Sequence, residues 1–198
     1  MRFVRGSVLD VGWGGGRACL HLQARGLDVV GIDSSPGAIA CCRARGVLDA
    51  RQVSIERLDP SLGTFDTVLM LGQNFGLLGS RTKARLILRR LAALTTPRGR
   101  IVAESHDPHA HGERVHRRYR RRNVARGRMP GQMRFRVRYG ELSTPWRDWL
   151  QVSRDELVEL LAGTQWRVSR TLGDGASYVA VIDKVRLAGA GRDPVRDR

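Results

Sequence analysis

The pattern of apolar and polar positions predicts a chain in which short buried strands alternate with helices. The clearest strand is the near-continuous apolar run at residues 65–71, which is typical of a central strand in a parallel sheet. Two shorter β-type runs, at residues 7–11 and 28–32, enclose a helical pattern at about residues 15–25. Strands and helices that alternate in this way predict a parallel sheet covered on both faces.

The alternation continues along the rest of the chain. Ser35 and Pro36 are typical of the start of a second helix, and further strands are predicted at residues 51–55 and 100–104. A capping box at residues 153–156 starts the last helix, and two strands within residues 167–182 enclose a glycine-containing turn. The predicted fold class is therefore α/β, with three layers and a doubly wound, mostly parallel sheet that closes on an antiparallel strand pair.

A second pattern interrupts this order before the last helix. Residues 132–140 alternate apolar side chains with arginines, which predicts a half-buried strand whose arginines face water. Residues 142–150 are expected to pair with it as an inserted β-hairpin. We therefore predict one domain over residues 1–185 with an insertion at about 106–150, followed by a disordered tail at 186–198, where glycine, aspartate and arginine dominate.

Candidate chemistry is concentrated in the glycine-rich turn after the first strand. Asp10 lies near the end of that strand and Gly12, Gly14 and Gly16 follow it, while Asp33 stands at the end of the second strand. Glycines let the backbone approach a ligand closely, and an acid at the end of the second strand can accept hydrogen bonds from a ribose diol. The pattern therefore predicts a site for a nucleoside-bearing cofactor.

Two classes of nucleoside cofactor are bound by turns of this kind. The dinucleotide fingerprint G-x-G-x-x-G fails because Arg17 occupies the place of its third glycine, which disfavours an NAD-dependent oxidoreductase. The acid-x-G-x-G-x-G pattern instead resembles motif I of the class I S-adenosylmethionine (SAM) methyltransferases, and Asp33-Ser34-Ser35-Pro36 resembles the end of their second strand. The resemblance implies a Rossmann-like fold, SAM as the cofactor and methyl transfer as the activity.

The resemblance also implies which residues bind the cofactor. In the family the acid after the second strand binds the ribose, a residue just past the third strand contacts the adenine, and the end of the fourth strand lies near the methionine part. The family usually has a small residue or cysteine at the position of Trp13, so we expect this side chain to crowd the methionine end. The implied cofactor-binding residues are Asp10, Gly12, Gly14, Gly16, Asp33, Ser34, Ile55, Glu56, Gly72 and Gln73.

Residues after the fourth and fifth strands are the candidates for catalysis, because ligands bind at the carboxyl ends of parallel strands. By resemblance Asn74 points toward the methyl acceptor, although an asparagine beside glycines is equally typical of a turn cap. His106 follows the fifth strand and is the candidate base. The spacing of His106, His109 and His111 is irregular, so we predict no metal site.

The start of the chain departs from the family. Residues 1–6 precede the first strand, whereas class I methyltransferases usually carry one or two helices there that close over SAM and shape the acceptor pocket. We expect either a truncated sequence or a lid that comes from elsewhere in the chain. A non-catalytic SAM-binding or RNA-binding protein therefore remains an alternative to an active enzyme.

The charge of the chain raises the question of a nucleic-acid partner. The net charge is +16, the pI is ≈ 11.4, and Lys83 and Lys184 are the only lysines, so arginine carries nearly all of the positive charge. Arginines are densest from Arg114 to Arg138, where interleaved aromatic residues are compatible with RNA binding. A general arginine bias over solvated surface explains the remainder. We therefore favour a small-molecule acceptor and keep an RNA methyltransferase as the alternative.

The sequence also carries signals of cellular location. Cys19, Cys41 and Cys42 show no metal-ligand spacing, and their odd number argues against a disulfide framework. We find no signal peptide and no long apolar run. These observations predict a reduced, cytoplasmic protein without a membrane partner.

Overall fold

The computed structural model describes residues 1–185 and contains a seven-stranded sheet flanked by helices. The first part of the chain forms β1 (Val8–Val11), α1 (Arg17–Gln23), β2 (Val29–Asp33), α2 (Pro36–Ala44), β3 (Asp49–Gln52), β4 (Phe65–Met70), α3 (Arg81–Ala93) and β5 (Thr95–His106). The second part forms α4 (Arg114–Ala125), β6 (Gln132–Phe135), β7 (Arg138–Tyr139), β8 (Leu142–Ser143), β9 (Arg147–Leu150), α5 (Arg154–Leu161), β10 (Trp166–Leu172) and β11 (Ser177–Lys184). The tail at 186–198, for which we predicted disorder, lies outside the described residues.

The order of the strands places a ligand crevice between β1 and β4. The sheet runs β10-β11-β5-β4-β1-β2-β3, with β1 to β5 parallel and β11 antiparallel to both of its neighbours. From β1 the chain builds the sheet first toward β3 and then toward β5, so the direction of strand addition reverses between β1 and β4. Ligands of open α/β sheets bind at such a reversal, outside the carboxyl ends of the strands. The predicted doubly wound fold with a closing antiparallel pair is confirmed.

The central strand β4 shows why the sheet is covered on both faces. Val68 and Met70 pack into the core beneath α3 and α5, whereas Leu69 packs into the second core beneath α1 and α2. Successive side chains of a strand point to opposite faces, so a continuous apolar run requires an apolar layer on each side. Within residues 1–185 no helix is long and apolar enough to cross a bilayer.

The inserted hairpin forms, but its strands are interrupted. Gln132–Phe135 pairs with Arg147–Leu150, and a separate ladder joins the short strands β7 and β8 at the tip. Between the two ladders, the N–H of Thr144 donates a hydrogen bond to the carbonyl oxygen of Val137, and the N–H of Val137 donates one to the hydroxyl of Thr144. Pro145 supplies no N–H for a ladder at this point.

The predicted alternation of the first hairpin strand holds only in its lower half. Met133 and Phe135 are half-buried, as expected, but Val137 and Tyr139 are exposed. The interpretation of residues 132–140 as one strand with a single apolar face was therefore wrong beyond Phe135. The reason is that the ladder of β7 and β8 does not pack on the core, so the side chains on both of its faces are exposed.

Two strand boundaries also differ from the prediction. β3 ends at Gln52 rather than at Ile55, because the hydroxyl of Ser54 accepts the N–H of Glu56 and starts a 3₁₀ turn at Ile55–Arg57. β5 begins at Thr95, ahead of the predicted start at residue 100. Its pairing with β4 shifts register between Phe65 and Thr67, and this irregularity accommodates the sequence Pro97-Arg98-Gly99.

Candidate functional site

The glycine-rich turn follows directly on the buried strand β1. Gly12 and Gly16 have φ values of +70° and +74°, in the left-handed region that favours glycine. A Cβ on Gly12 would lie 2.8 Å from the amide nitrogen of Asn74, and one on Gly16 would lie 2.9 Å from Cys42 Sγ. Both conformation and lack of space therefore require glycine at these positions.

Asn74 holds this turn in place. The preceding residue, Gln73, adopts a left-handed conformation with a φ of +63°, which turns the chain back toward β1 after β4. The side-chain amide of Asn74 donates to the carbonyl oxygen of Val11 at 3.0 Å and also to that of Gly12. The amide hydrogens are therefore used within the protein, and Asn74 acts as a brace for the glycine turn. The expected orientation toward the acceptor receives no support from these contacts.

Asp33 meets the glycine turn from the end of β2. Its Oδ1 accepts the N–H of Ser35 at 2.9 Å, and its Oδ2 accepts the N–H of Gly14 at 3.3 Å. The structure thus brings together Asp33, Ser34 and the glycine turn at the carboxyl edge of the sheet, as the sequence pattern predicts. The carboxylate also lines the large cleft at this edge.

The cleft consists of two cavities that meet at Gly12 and Asn74. The larger cavity, of ≈ 550 Å³, contains Asp33, Ser34, Ile55 and Glu56, whereas the smaller one, of ≈ 470 Å³, contains Asp10, Gly14 and Gly72. Gly16 and Gln73 lie outside the lining of both cavities. The residues that we expect to bind the ribose and the adenine thus share the larger cavity, whereas Gly72, which we expect near the methionine part, lines the smaller one.

Lys83 belongs to the larger cavity and was missed by the sequence analysis. Its ammonium group forms an ion pair with the carboxylate of Glu56, so the acid expected at the adenine end is already paired. Lys83 lies in the first turn of α3, 27 positions along the chain from Glu56. No local sequence signal links two residues this far apart.

Asp10 is buried beneath the glycine turn. It is 2% exposed, and the thiol of Cys19 donates a hydrogen bond to its Oδ2 at 3.3 Å. Burial raises the pKa of this carboxyl from 3.8 to about 6, while the hydrogen bond from Cys19 opposes the shift. Burial and the neighbouring carboxylate also raise the pKa of the Cys19 thiol, so Cys19 remains a thiol at neutral pH.

Trp13 packs inward. Its ring lies against Gly31 of β2 in the core beneath α1 and α2, and a Cβ on Gly31 would overlap the indole. The side chain is 8% exposed and forms one wall of the smaller cavity. The absence of a side chain at Gly31 makes room for the indole of Trp13, and this packing relieves the expected crowding of the methionine end.

The fifth strand supplies a second residue that the sequence analysis missed. The carboxylate of Glu104 accepts the N–H of Gly72 at 2.8 Å, which fixes the backbone at the end of β4 beside the smaller cavity. Glu104 was included in the predicted fifth strand without a role. The signal was present, because an acid near the carboxyl end of a parallel strand is placed at the ligand edge of the sheet.

His106 is held in a chain of imidazoles. Its Nε2 lies 2.9 Å from Nε2 of His111 and its Nδ1 lies 3.1 Å from Oγ of Ser177. The rings of His106 and His111 are stacked, and the ring of His116 lies beside that of His111 in a tilted arrangement. Burial and the neighbouring His111 lower the pKa of His106, which favours the neutral form at pH 7. His109 turns away from this pair and contacts Glu156 of α5 at 3.1 Å. Across residues 1–185 no group of three or more potential ligands could hold a metal ion.

Comparison with known proteins agrees with this arrangement. A family model described as "Methyltransferase domain" matches residues 8–99, which include the glycine turn and Asp33. The crystal structure of a SAM-dependent methyltransferase from Bacteroides fragilis with S-adenosylhomocysteine (SAH) is similar over 93% of this chain and 75% of that one, with a TM-score of 0.78 and 29% identity. Residues 8–99 of this chain form a class I SAM-dependent methyltransferase domain. The predicted family and the predicted cofactor, SAM, are confirmed.

Other relatives of this chain are more distant or match in part. A SAM-dependent methyltransferase from Methanosarcina mazei shares the fold, with a TM-score of 0.70, 17% identity and coverage of 93% of this chain and 95% of that one. A ubiquinone biosynthesis O-methyltransferase from Azorhizobium caulinodans is 32% identical over 103 residues, which are 50% of this chain and 39% of that protein. The match thus spans well under half the length of that curated relative.

Proposed function

We propose that this chain transfers a methyl group from SAM to a small-molecule acceptor. The observation that carries the proposal is the cleft at the β1–β4 reversal, where the Asp33 carboxylate and the glycine turn share one edge. Bound SAM supplies a methyl group made electrophilic by its sulfonium. The protein contributes by positioning the acceptor behind that methyl and by excluding water.

The residues of the cleft fit the parts of SAM. Asp33 retains acceptor capacity on both carboxylate oxygens for the hydroxyls of the ribose. Val53, Ile55 and Leu77 offer apolar surface in the same cavity, which suits a purine ring. At the methionine end, Asp10 and the backbone of Gly14 and Gly72 line the smaller cavity. The close approach that Gly12 permits at the junction of the two cavities is the feature that a Cβ would remove.

Proton removal from the acceptor is assigned to His106, and the role of Asn74 is structural. A lowered pKa leaves His106 neutral and able to accept a proton at pH 7. The contact between Nε2 of His106 and Nε2 of His111 allows the imidazole pair to share one proton. Asn74 contributes by bracing the turn that approaches SAM. His106 lies outside the lining of both cavities, so the acceptor must reach toward it from the end of β5.

A small molecule is favoured as the acceptor by the names of the curated relatives. They are named as ubiquinone biosynthesis O-methyltransferases, and those proteins are 32% and 30% identical over 103 residues. The three cysteines are free, which supports a reducing, cytoplasmic location.

A nucleic-acid acceptor is the second candidate, and α4 is the observation that favours it. Four of its arginines, at positions i, i+3, i+4 and i+7, surround a hollow of ≈ 380 Å³. Within residues 1–185 no arginine of α4 forms an ion pair with a carboxylate, so their charge is available to phosphates. These four residues are Arg114, Arg117, Arg118 and Arg121.

Ligand-dependent stability tests the main proposal. SAM and SAH are expected to raise the melting temperature, whereas NAD is expected to have no effect. At a hundredfold excess of ligand over Kd, the free energy of unfolding should increase by about 2.7 kcal/mol. Consumption of SAM with a panel of phenols, amines and carboxylates then tests transfer. Stabilisation by NAD equal to that by SAH would contradict the cofactor, and SAH binding without turnover on any acceptor would favour a non-catalytic protein.

A further inference from the structure

The larger cavity has two walls that come from different parts of the chain. One wall consists of the predicted adenosine-side residues, such as Asp33 and Ile55. The other wall is the inserted hairpin, from which Phe135, Val137 and Trp146 face the same space. No residue of the hairpin figures in the cofactor motifs. The hairpin is nevertheless positioned to touch whatever the opposite wall binds.

Trp146 differs from the other aromatic residues of this wall because most of its side chain is not packed against the protein. It is 55% exposed, whereas its neighbour Trp149 is half-buried. The guanidinium of Arg136 lies 5.1 Å from the centroid of the indole and orients the ring. An exposed tryptophan that borders a ligand cavity leaves apolar area to be covered, and a flat partner covers it well.

The base of the hairpin is tied firmly to the cofactor turn. Trp149 packs on Gly76 so closely that a Cβ there would overlap the indole, and the ring of Phe135 meets Trp149 edge-on at 5.6 Å. Gly76 lies in the 3₁₀ segment Asn74–Leu78, whose first residue braces the glycine turn. On the other side, Asn123 of α4 donates hydrogen bonds to the carbonyls of Pro130 and Gln132. The base is therefore fixed relative to the site.

The upper half of the hairpin is attached more weakly. The lower ladder ends at the pair Phe135 and Arg147, and the two-residue tip ladder begins at Arg138. Trp146 belongs to the stretch between the two ladders, where Val137 and Thr144 are joined by two hydrogen bonds outside any ladder. A break in a ladder is a point where a hairpin bends, because the backbone bonds that resist bending are fewer there. The break thus coincides with the part of the hairpin that borders the cavity.

We propose that Trp146 is a cofactor-binding residue that covers the adenosine part of SAM from the hairpin side. The inference rests on the proposed function, because it assumes that the larger cavity receives adenosine. Stacking of the indole on the purine would bury the exposed aromatic surface and exclude water from the ribose contacts of Asp33. The inserted hairpin would then supply the lid that the family usually builds from other segments.

Calorimetric titration with SAH and tryptophan emission test this inference together. Trp146→Ala is expected to weaken SAH binding about tenfold, in line with the loss of an aromatic that stacks on a base, and Trp146→Phe is expected to retain most of the affinity. Tyr139→Ala is the matched control, because Tyr139 is an 85% exposed aromatic of the same hairpin that lies outside the cavity lining. This control is expected to bind SAH as the wild type does.

Emission spectra add a readout that does not depend on affinity. Trp13 and Trp166 are buried, so the solvent-exposed part of the emission is expected to come mainly from Trp146. SAH should shift the emission of the wild type to shorter wavelength, and the shift should be much smaller in Trp146→Phe, where Trp149 is the remaining tryptophan of the cavity wall. Equal SAH affinity of wild type and Trp146→Ala would overturn the inference while leaving the proposed function intact. Absence of SAH binding by the wild type would overturn both.

Discussion

Replacing Asp33 by alanine tests the cofactor site at the carboxylate on which most of its geometry depends. In the structure this carboxylate has two tasks. Oδ1 accepts the N–H of Ser35 at 2.9 Å and Oδ2 accepts that of Gly14 at 3.3 Å, which ties β2 to the glycine turn. Each oxygen keeps a lone pair for a ribose hydroxyl. Asp33→Ala therefore removes a structural bridge and two candidate ligands at once.

The two tasks have different expected magnitudes. A hydrogen bond to a charged group contributes about 1.5–3 kcal/mol, and because Asp33 is half-exposed we expect about 2–3 kcal/mol for both ribose contacts together. The Kd for SAH should therefore rise about 30- to 150-fold. The bridge to the backbone should contribute about 1–2 kcal/mol to the free energy of unfolding. Asp33→Asn keeps an oxygen for Ser35 but loses the charge, so binding should suffer more than stability.

Calorimetric titration with SAH and urea denaturation measure the two effects separately. Asp28→Ala is the matched control, because Asp28 is an exposed acid immediately before the opposite end of β2, and it should change neither quantity. If Asp33→Ala loses stability but binds SAH within about twofold of the wild type, the carboxylate is a turn-capping acid and the assignment of the ribose end is wrong.

Four further predictions concern other parts of the molecule. Asn74→Ala should lower the free energy of unfolding by about 1–2 kcal/mol and weaken SAH binding, and an unchanged urea midpoint would contradict its role as a brace. Gly31→Ala should lower the free energy of unfolding by about 1–3 kcal/mol because the added methyl group overlaps the ring of Trp13, and a stability equal to that of the wild type would refute this packing. Because the pKa of Asp10 is raised to about 6, its contribution to stability is present below pH 4 and is lost as the pH rises to 6, so the stability of Asp10→Asn relative to the wild type should increase by about 3 kcal/mol over this range. Urea denaturation of both proteins at pH 4, 5, 6 and 7 measures the difference in their free energies of unfolding. A difference that does not change with pH would contradict a raised pKa of the buried Asp10 carboxyl. Neutralising three arginines of α4 to glutamine should leave methyl transfer to a small acceptor unchanged, whereas submicromolar RNA affinity at physiological salt that is lost in this variant would make nucleic acid the preferred acceptor. The three substitutions are Arg118→Gln, Arg121→Gln and Arg122→Gln.

The parts of the site that the sequence predicts are those made by neighbouring residues. Gly12, Gly14 and Asp33 follow two adjacent strands, so strand order alone brings them to one edge of the sheet. The pairing of Lys83 with Glu56 and the bond between Glu104 and Gly72 join segments that are distant in sequence. Only the three-dimensional packing of α3 and β5 determines them.

The hairpin shows a different limit of sequence analysis. Its alternation of apolar and arginine residues correctly predicts strands, and the lower ladder confirms them. The pattern contains no information about which apolar residues meet the core and which meet a cavity, because both environments accept aromatic side chains. The sequence pattern therefore did not indicate that Val137 and Trp146 line the cleft.

The scarcity of lysine gives this molecule an unusual chemical property. An amine-reactive reagent has two side-chain targets in the chain, and they occupy contrasting positions. Lys83 borders the larger cavity, whereas Lys184 of β11 donates to the carbonyls of Ala92 and Thr95 far from it. Acylation of Lys83 therefore reports ligand occupancy of the cleft, and Lys184 serves as the internal reference in the same mass spectrum.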